Sequence, residues 1–457
     1  MTDLAKAINN AEPLDNHRPP EFSDEALALR FTDRHRNELR YVSPWGRWLL
    51  WDGRRWVTEQ TLKAFDMSRD VCREAAAECE KEPLARTVAS AKTVYAVERL
   101  AKADRRHAAT TEQWDAFPWS LNTPDGVVDL KTGKLRKHRR EDFFTKMTAV
   151  GPEGDCPQWL KFLRRVTDGD DDLQGFVQRM VGYGLTGVTS EHALFFLYGT
   201  GANGKSVFTG TISGLLGDYH RAAAMETFVA SHHVGHPTDL AGLRGSRLVT
   251  AVETEEGRRW AESKIKALTG GDKIAARFMR RDFFEFVPEF KLLIAGNHKP
   301  GLRNVDEAMK RRLHLVPFTV TIPEKERDKY LQEKLKAEWS GILRWTIEGC
   351  LAWQKYGLAP PEAVRRATEA YFEAEDALSI WIDECCTTDP NDYASVADLY
   401  AKWREWAERA GEFTDTMKSF SQKLDDREFT RGRTSNERGF RGIGLPQEDL
   451  SNAYWNK

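Results

Sequence analysis

Neither sign of charge is in excess in this sequence: 68 Lys and Arg stand against 70 Asp and Glu, a formal net charge of −2. A chain this near neutrality does not coat nucleic acid by bulk attraction, although a local groove needs only its own lining to be basic. Cysteine is scarce, with six in 457 residues and none in a C-x-x-C spacing. Neither a zinc ribbon nor a disulfide framework is therefore expected, and the thiols read as reduced. No apolar run approaches the ~20 residues of a membrane span, and the N-terminus lacks the apolar core of a signal peptide. The expectation is a soluble cytoplasmic protein with no membrane partner. What is present is 40% hydrophobic and 11% aromatic residues, enough to build cores, over a length that suits about two to four domains.

Residues 1–22 are polar and proline-marked, and read as a flexible tail. Trp45, Trp48, Trp51 and Trp56 then lie among arginines around an Asp52-Gly53 hairpin signal. They could stack on bases; a small β core with arginine stems over the rings is the plainer reading. Helical periodicity from about 60 to 110 gives way to a hairpin around Thr132-Gly133. The basic run after it (Lys134, Arg136, Lys137, Arg139, Arg140) reads as a solvated face. Helices are expected from Pro157 to about Leu185. Between 191 and 320 apolar strands at Ala193–Tyr198, Arg247–Val252 and Lys291–Ala295 alternate with helices, the pattern of a covered parallel sheet. Residues 325–375 are helical, and 377–445 are helical and then hairpin-like. The divisions expected are 1–22, 23–150, 151–190, 191–322, 323–376 and 377–457.

Gly199-Thr-Gly201-Ala202-Asn203-Gly204-Lys205-Ser206 fits G-x-x-x-x-G-K-[ST], with a strand before it and a helical segment after it. Glycines let backbone N–H groups close around phosphate oxygens at a helix N-terminus. Lys205 would reach the β- and γ-phosphates of ATP, and the Ser206 hydroxyl would bind Mg2+. The second apolar strand ends in Glu253-Thr-Glu255-Glu256, so Glu253, with Glu255 as runner-up, is the expected metal-holding and catalytic acid. Asn297, after the third strand, is placed to meet the γ-phosphate or the attacking water. Arg311 and Arg312 stand just before a further strand, where one of them could act across a subunit boundary.

These residues resemble the superfamily 3 helicases, specifically the phage and plasmid primase–helicase group related to poxvirus primase–helicases. The likeness runs through the phosphate motif, Glu253-Thr-Glu-Glu, Ile265–Ile274, Gly296-Asn297-His298-Lys299-Pro300 and Arg311-Arg312…Val316-Pro317-Phe318, and upstream through Gly126–Leu130 and Gly182–Thr186. It implies an α/β fold: an AAA+-like P-loop ATPase core, a preceding mainly helical domain and a C-terminal winged-helix domain. It also implies a homo-oligomeric ring, usually hexameric, that moves on single-stranded DNA and opens forked DNA during replication of a phage, plasmid or integrated element in a bacterial cytoplasm. Lys205 and Ser206 would serve the first ATPase motif, Glu253 the second, Asn297 the sensor, and Arg311 or Arg312 the arginine finger. The family's channel hairpin would fall at Lys273–Phe286, with Lys273, Arg277, Arg280 and Arg281 gripping phosphates and Phe283 stacking on a base.

The basic C-terminal hairpin would carry Arg431, Arg433, Arg438 and Arg441 to DNA phosphates. Ahead of Gly199 there is no cysteine pair and no readable primase carboxylate cluster, so primer synthesis is not expected, and a separate primase or other replication proteins are the candidate partners. His232-His233-Val-Gly-His236 lacks supporting ligands and reads as a loop. Asp168-Gly-Asp-Asp-Asp172 departs from a calcium loop at Leu173 and Arg179. Two rival readings remain: an ATP-assembled replication initiator or DNA-binding scaffold without processive unwinding, and a P-loop kinase or metabolic ATPase.

Overall fold

The computed structural model describes residues 19–230, 237–253, 258–279, 282–302, 306–412, 414, 416–425, 427, 429–433 and 437–446. Its first part packs helices α1 (Asp24–His35), α2 (Lys63–Glu78), α3 (Glu82–Val88) and α4 (Ala91–Ala101) on an antiparallel sheet of β1 (Leu39–Val42), β2 (Arg47–Trp51) and β3 (Trp56–Thr58). Asp52 makes the β2–β3 turn, its carboxylate accepting from the backbone N–H of Arg54 and Arg55 at 2.7 Å. Trp48 and Trp56 are buried, and the Arg40 guanidinium lies 5.1 Å from the Trp56 ring centre. The tryptophan-rich stretch is thus core, with arginine laid over it. A second antiparallel sheet comes next, of β4 (Ser120–Thr123), β5 (Gly126–Asp129) and β6 (Lys134–Arg136). The basic run beyond β5 stays at the surface, where Arg136 pairs with Asp142 at 2.7 Å.

Helices α5 (Pro157–Val166) and α6 (Asp171–Gly184) lead into the central sheet of β7 (Leu194–Tyr198), β8 (His220–Ala222), β9 (Leu248–Glu253), β12 (Lys291–Gly296) and β13 (Leu313–Pro317). All pairings are parallel, in the order β13-β7-β12-β9-β8. Such a sheet is covered on both faces, which is why β7 reads Leu-Phe-Phe-Leu without polar alternation. Phe195 and Leu197 face a core with α6, α7 (Lys205–Leu216), α11 (Leu331–Ala337) and α12 (Trp339–Tyr356). Leu194 and Phe196 face the other side, toward α8 (Pro237–Ala241), α9 (Glu262–Gly270) and α13 (Glu362–Ala374). Each such burial contributes about 1.5–3 kcal/mol. The outward edge of β13 is sealed by α13, whose Thr368 hydroxyl accepts from Leu315 N–H at 3.0 Å.

Helices α6 and α12 cross backbone to backbone. A Cβ on Gly182 would sit 2.2 Å from Cys350 N, and one on Gly349 would sit 2.2 Å from Gln178 O. At the amino-terminal edge of the sheet two cations are buried. Arg247 donates to the carbonyls of Leu185 at 2.7 Å and Ser120 at 2.7 Å. Lys291 donates to the Thr186 hydroxyl at 3.2 Å and the carbonyls of Thr186, Val188 at 3.1 Å and Glu289 at 3.3 Å. These bonds clamp the segments ahead of β4 and β7 onto the sheet.

The last part has α14 (Ala377–Cys385), α15 (Val396–Ala410) and α16 (Met417–Asp425) against an antiparallel sheet ordered β14-β16-β15, from β14 (Tyr393–Ser395), β15 (Thr430–Arg433) and β16 (Arg438–Arg441). Trp381, Trp403, Phe420 and Phe440 form its core. Asp168–Asp172 resolves as a helix start, with Asp170 accepting from Leu173 N–H at 2.9 Å. No helix among the described residues is long and apolar enough to cross a membrane.

Candidate functional site

Parallel strands end together, and here the register is explicit: Gly296 pairs with both Tyr198 and Glu253, and Pro317 with Tyr198. The residues that succeed or close these strands therefore gather at one carboxyl edge, the place where open α/β sheets hold ligands. Gly199 leaves β7 at φ +156°, and a Cβ there would lie 2.0 Å from Phe318 O. Gly204 has φ +86°, with Val166 and Phe162 against it. Only glycine fits either position without displacing a neighbour. Ala202 also sits at positive φ, +48°. The loop is held from behind: Asn203 Nδ2 donates to Phe318 O at 2.7 Å, and Ile322 N–H donates to Ala202 O at 2.8 Å.

Helix α7 starts at Lys205 with no side-chain cap, so its first N–H groups, at the positive end of the dipole, are open to an anion. Lys205 is buried, and its ammonium donates to Gly199 O at 2.6 Å and Asn297 Oδ1 at 3.1 Å. Burial lowers its pKa, so a phosphate would be recovering charge stabilisation that the protein withholds. Ser206 beside it is exposed. Glu253 is the last residue of β9 and is buried at 4% exposure. Gly296 makes room for it, since a Cβ there would come within 2.9 Å of Glu253 Cβ. The loop, Lys205, Glu253 and Asn297 are thus brought to one edge. Glu255 lies outside the described residues.

Arg311 and Arg312 are not at that edge. Leu313 pairs with Leu194, at the amino-terminal side of the sheet, four residues or about 13 Å from the level of Tyr198. Arg312 is buried at 6% exposure and donates to Thr269 Oγ1 at 3.1 Å and Ala308 O at 2.8 Å. Burial lowers its pKa, with Arg311 adding to the effect. Arg311 is exposed and borders an open groove of about 500 Å³ between β13 and α13.

The expected hairpin forms from β10 (Ile274–Ala276) and β11 (Phe284–Phe286). Lys273 stands at its base. Toward the tip, Phe278, Met279 and Phe283 are exposed, and Arg277 lies 4.8 Å over the Phe283 ring. Arg280 and Arg281 lie outside the described residues. In the C-terminal sheet Arg431, Arg433, Arg438 and Arg441 are all exposed, with Arg431 paired to Asp425. His232, His233 and His236 lie outside the described residues. Nothing in the local sequence marks Tyr371 and Glu375, yet both reach the loop behind Asn297: Tyr371 Oη donates to Pro300 O, and Glu375 accepts from Leu302 N–H at 2.7 Å.

Comparison with known proteins adds to this geometry. A family model described as D5 N terminal like matches residues 28–168, and a family of unknown function, DUF5906, matches 197–312. The chain is 25% identical over 318 residues to "Putative helicase L207/L206" of Acanthamoeba polyphaga mimivirus, covering 64% of this chain and 33% of that protein. It is 25% identical over 301 residues to "Putative helicase 022R" of Frog virus 3 (isolate Goorha), covering 61% of this chain and 30% of that one. The chain therefore spans about a third of the length of the curated relatives it matches. Among solved structures, the apo NrS-1 C terminal region (305-718) superposes with a TM-score of 0.51 at 9% identity, covering 94% of this chain and 100% of that one; the likeness is one of fold.

Proposed function

We infer that the chain belongs to the primase–helicase family, a reading supported by the D5 N terminal like match and by relatives named putative helicases. On that premise it is an ATP-dependent DNA helicase of replication, in a phage, plasmid or integrated element. The single observation that carries the reading is the carboxyl edge, where Lys205 bonds Asn297 beside an uncapped helix N-terminus and a buried Glu253. The residues suit a nucleotide phosphate with Mg2+: the absence of a Cβ at Gly199 lets the loop lie close against Phe318 O behind it, and the uncapped start of α7 and the Lys205 ammonium are donors suited to an anion in front. Magnesium would be held through Ser206 and Glu253, and supplies charge neutralisation for phosphoryl transfer.

The chain's own residues have separable tasks. The Gly199–Gly204 loop is a P-loop that orients the phosphates through backbone N–H groups. Lys205 neutralises them, Glu253 holds the metal and orients water, and Asn297 senses the γ-phosphate. Arg311 is the finger. It is exposed at the sheet edge opposite its own loop, which suits a residue that serves the neighbouring copy in a ring, hexameric by family resemblance. Arg312 already makes internal bonds and anchors α10 (Glu307–Lys310) instead. The β10–β11 hairpin grips single-stranded DNA, and the C-terminal unit, read as a winged helix, adds exposed arginines.

The test is steady-state ATP hydrolysis with and without single-stranded DNA, followed by displacement of a strand from a forked duplex. Stimulation by DNA together with displacement is expected. Stimulation without displacement would favour the initiator or scaffold reading. Hydrolysis indifferent to DNA, from a monomer, would overturn the helicase reading in favour of a small-substrate ATPase.

A further inference from the structure

The segments that leave the two polar strand ends, Glu253 and Asn297, do not diverge. Arg259 and Gly301 form a parallel β-bridge, Gly301 N–H donates to Arg258 O at 2.8 Å, and Trp260 N–H donates to Gly301 O at 2.9 Å. The backbone beyond the acid and the backbone beyond the amide are thus tied into one unit. That unit is held from outside by α13 and the residue after it. Tyr371 receives the Trp260 indole N–H at 3.1 Å and donates to Pro300 O. Glu375 accepts from Leu302 N–H at 2.7 Å. Lys299, in the same loop, lies 4.4 Å over the Tyr198 ring, on the residue that opens the phosphate loop.

The next residue along turns the other way. Asp376 caps α14 and takes both oxygens of its carboxylate to the Arg427 guanidinium, at 2.5 and 2.6 Å. Arg427 lies just past α16, inside the C-terminal unit. A second strut joins the same two bodies, where Arg259 meets Glu412 at 3.7 Å. Adjacent carboxylates therefore grip opposite partners: Glu375 the loop behind Asn297, and Asp376 the C-terminal unit. With one peptide between them, a shift of one partner cannot be absorbed by slack chain before it reaches the other.

We propose that Glu375 is a positioning residue that couples the placement of the C-terminal unit to turnover at the ATP site. This rests on the ATPase reading above. Glu375 bonds the backbone beyond Asn297, at Leu302 N–H, and not the Gly199–Gly204 loop, so its loss alters the aim of the amide and leaves that loop whole. A group misplaced by a fraction of an ångström slows chemistry more than it weakens binding.

The experiment uses the full chain, as Glu375→Ala, Glu375→Gln and Arg427→Ala. Binding of a fluorescent ATP analogue and kcat with single-stranded DNA are measured for each, with Tm as the check on folding. Glutamine keeps an oxygen for Leu302 N–H, so Glu375→Gln should hold at least about half the wild-type kcat. Glu375→Ala and Arg427→Ala should each lose about tenfold in kcat, with analogue affinity within about twofold of wild type. Wild-type kcat in both alanine variants would overturn the coupling while leaving the ATPase reading intact. Parallel loss of affinity, kcat and Tm in both would reduce Glu375 to a structural residue and overturn it as well. A wild type that does not hydrolyse ATP removes the ATPase reading, and the proposal with it.

Discussion

Lys205, at the start of α7, and Lys291, at the start of β12, are both buried lysines at opposite edges of the same sheet, and burial lowers the pKa of each. Lys291 is enclosed by one hydroxyl and three carbonyls and lies 4.7 Å over the Tyr183 ring. Its donors are used up within the fold, and no ligand can approach. Lys205 has two oxygen partners, one of them a side-chain amide, beside a glycine loop and an uncapped helix start. Burial of a cation is therefore no sign of function by itself. What separates the two is whether its partners are fixed carbonyls that complete a structural clamp or a replaceable amide at the mouth of an anion cradle.

The sharpest way to break this comparison is to remove each ammonium. Lys205→Ala should cut kcat for ATP by about a thousandfold with Tm little changed. Lys291→Ala leaves buried acceptors unsatisfied and should cost about 3 kcal/mol, read as a lower urea midpoint, with ATPase per folded molecule retained. If Lys291→Ala were instead stable and inactive, the division between the two edges would fail.

The arginine pair extends the same logic. Arg311→Ala should lower kcat by at least about a hundredfold without destabilising the chain, whereas Arg312→Ala should lose about 1–2 kcal/mol of stability through its bonds to Thr269 and Ala308. On the proposal that Arg311 serves the neighbouring copy, mixing Arg311→Ala with Lys205→Ala protein should recover part of the activity, because a mixed assembly would join an intact loop to an intact arginine. No recovery on mixing would argue that Arg311 does not act between copies.

A further effect concerns pH. Burial pushes His107, His220 and His314 down to about 4 from an ordinary 6.5. Below 6.5 the unfolded chain takes up protons that the folded chain refuses, so stability falls as pH drops from 6.5 toward 4 and is fully retained above that window. His314 stacks on Phe195 with ring centres 5.5 Å apart, so His314→Phe should flatten part of the slope in a Tm-versus-pH series. An unchanged slope would assign the acid sensitivity to the other groups.

Much of the central sheet was legible because its signals are local. Apolar runs such as Leu194–Leu197 and Lys291–Ala295, and the spacing of Gly199, Gly204 and Lys205, sit within a few residues of one another. Strand ends observed at Tyr198, Glu253 and Gly296 fall within a residue of the expected ones. The aromatic stretch resolved only in three dimensions, since nothing local says whether Trp56 meets Arg40 or a base. Arg311 and Arg312 are chemically identical neighbours, and the turn of one short helix sends one to solvent and the other to Thr269. The short edge strand β8 and the grip of Glu375 on Leu302 depend on partners far along the chain, which periodicity does not record.

The crossing of α6 and α12 has a practical consequence. With Gly182 and Gly349 each set against the other helix's backbone, no rotamer change can let the pair slide, and any translation along the seam meets main-chain atoms. Two spectroscopic labels on the exposed turns of these helices would therefore keep a constant separation through every working state. That pair offers a built-in ruler, against which the displacement of the hairpin or of the C-terminal unit can be measured in solution.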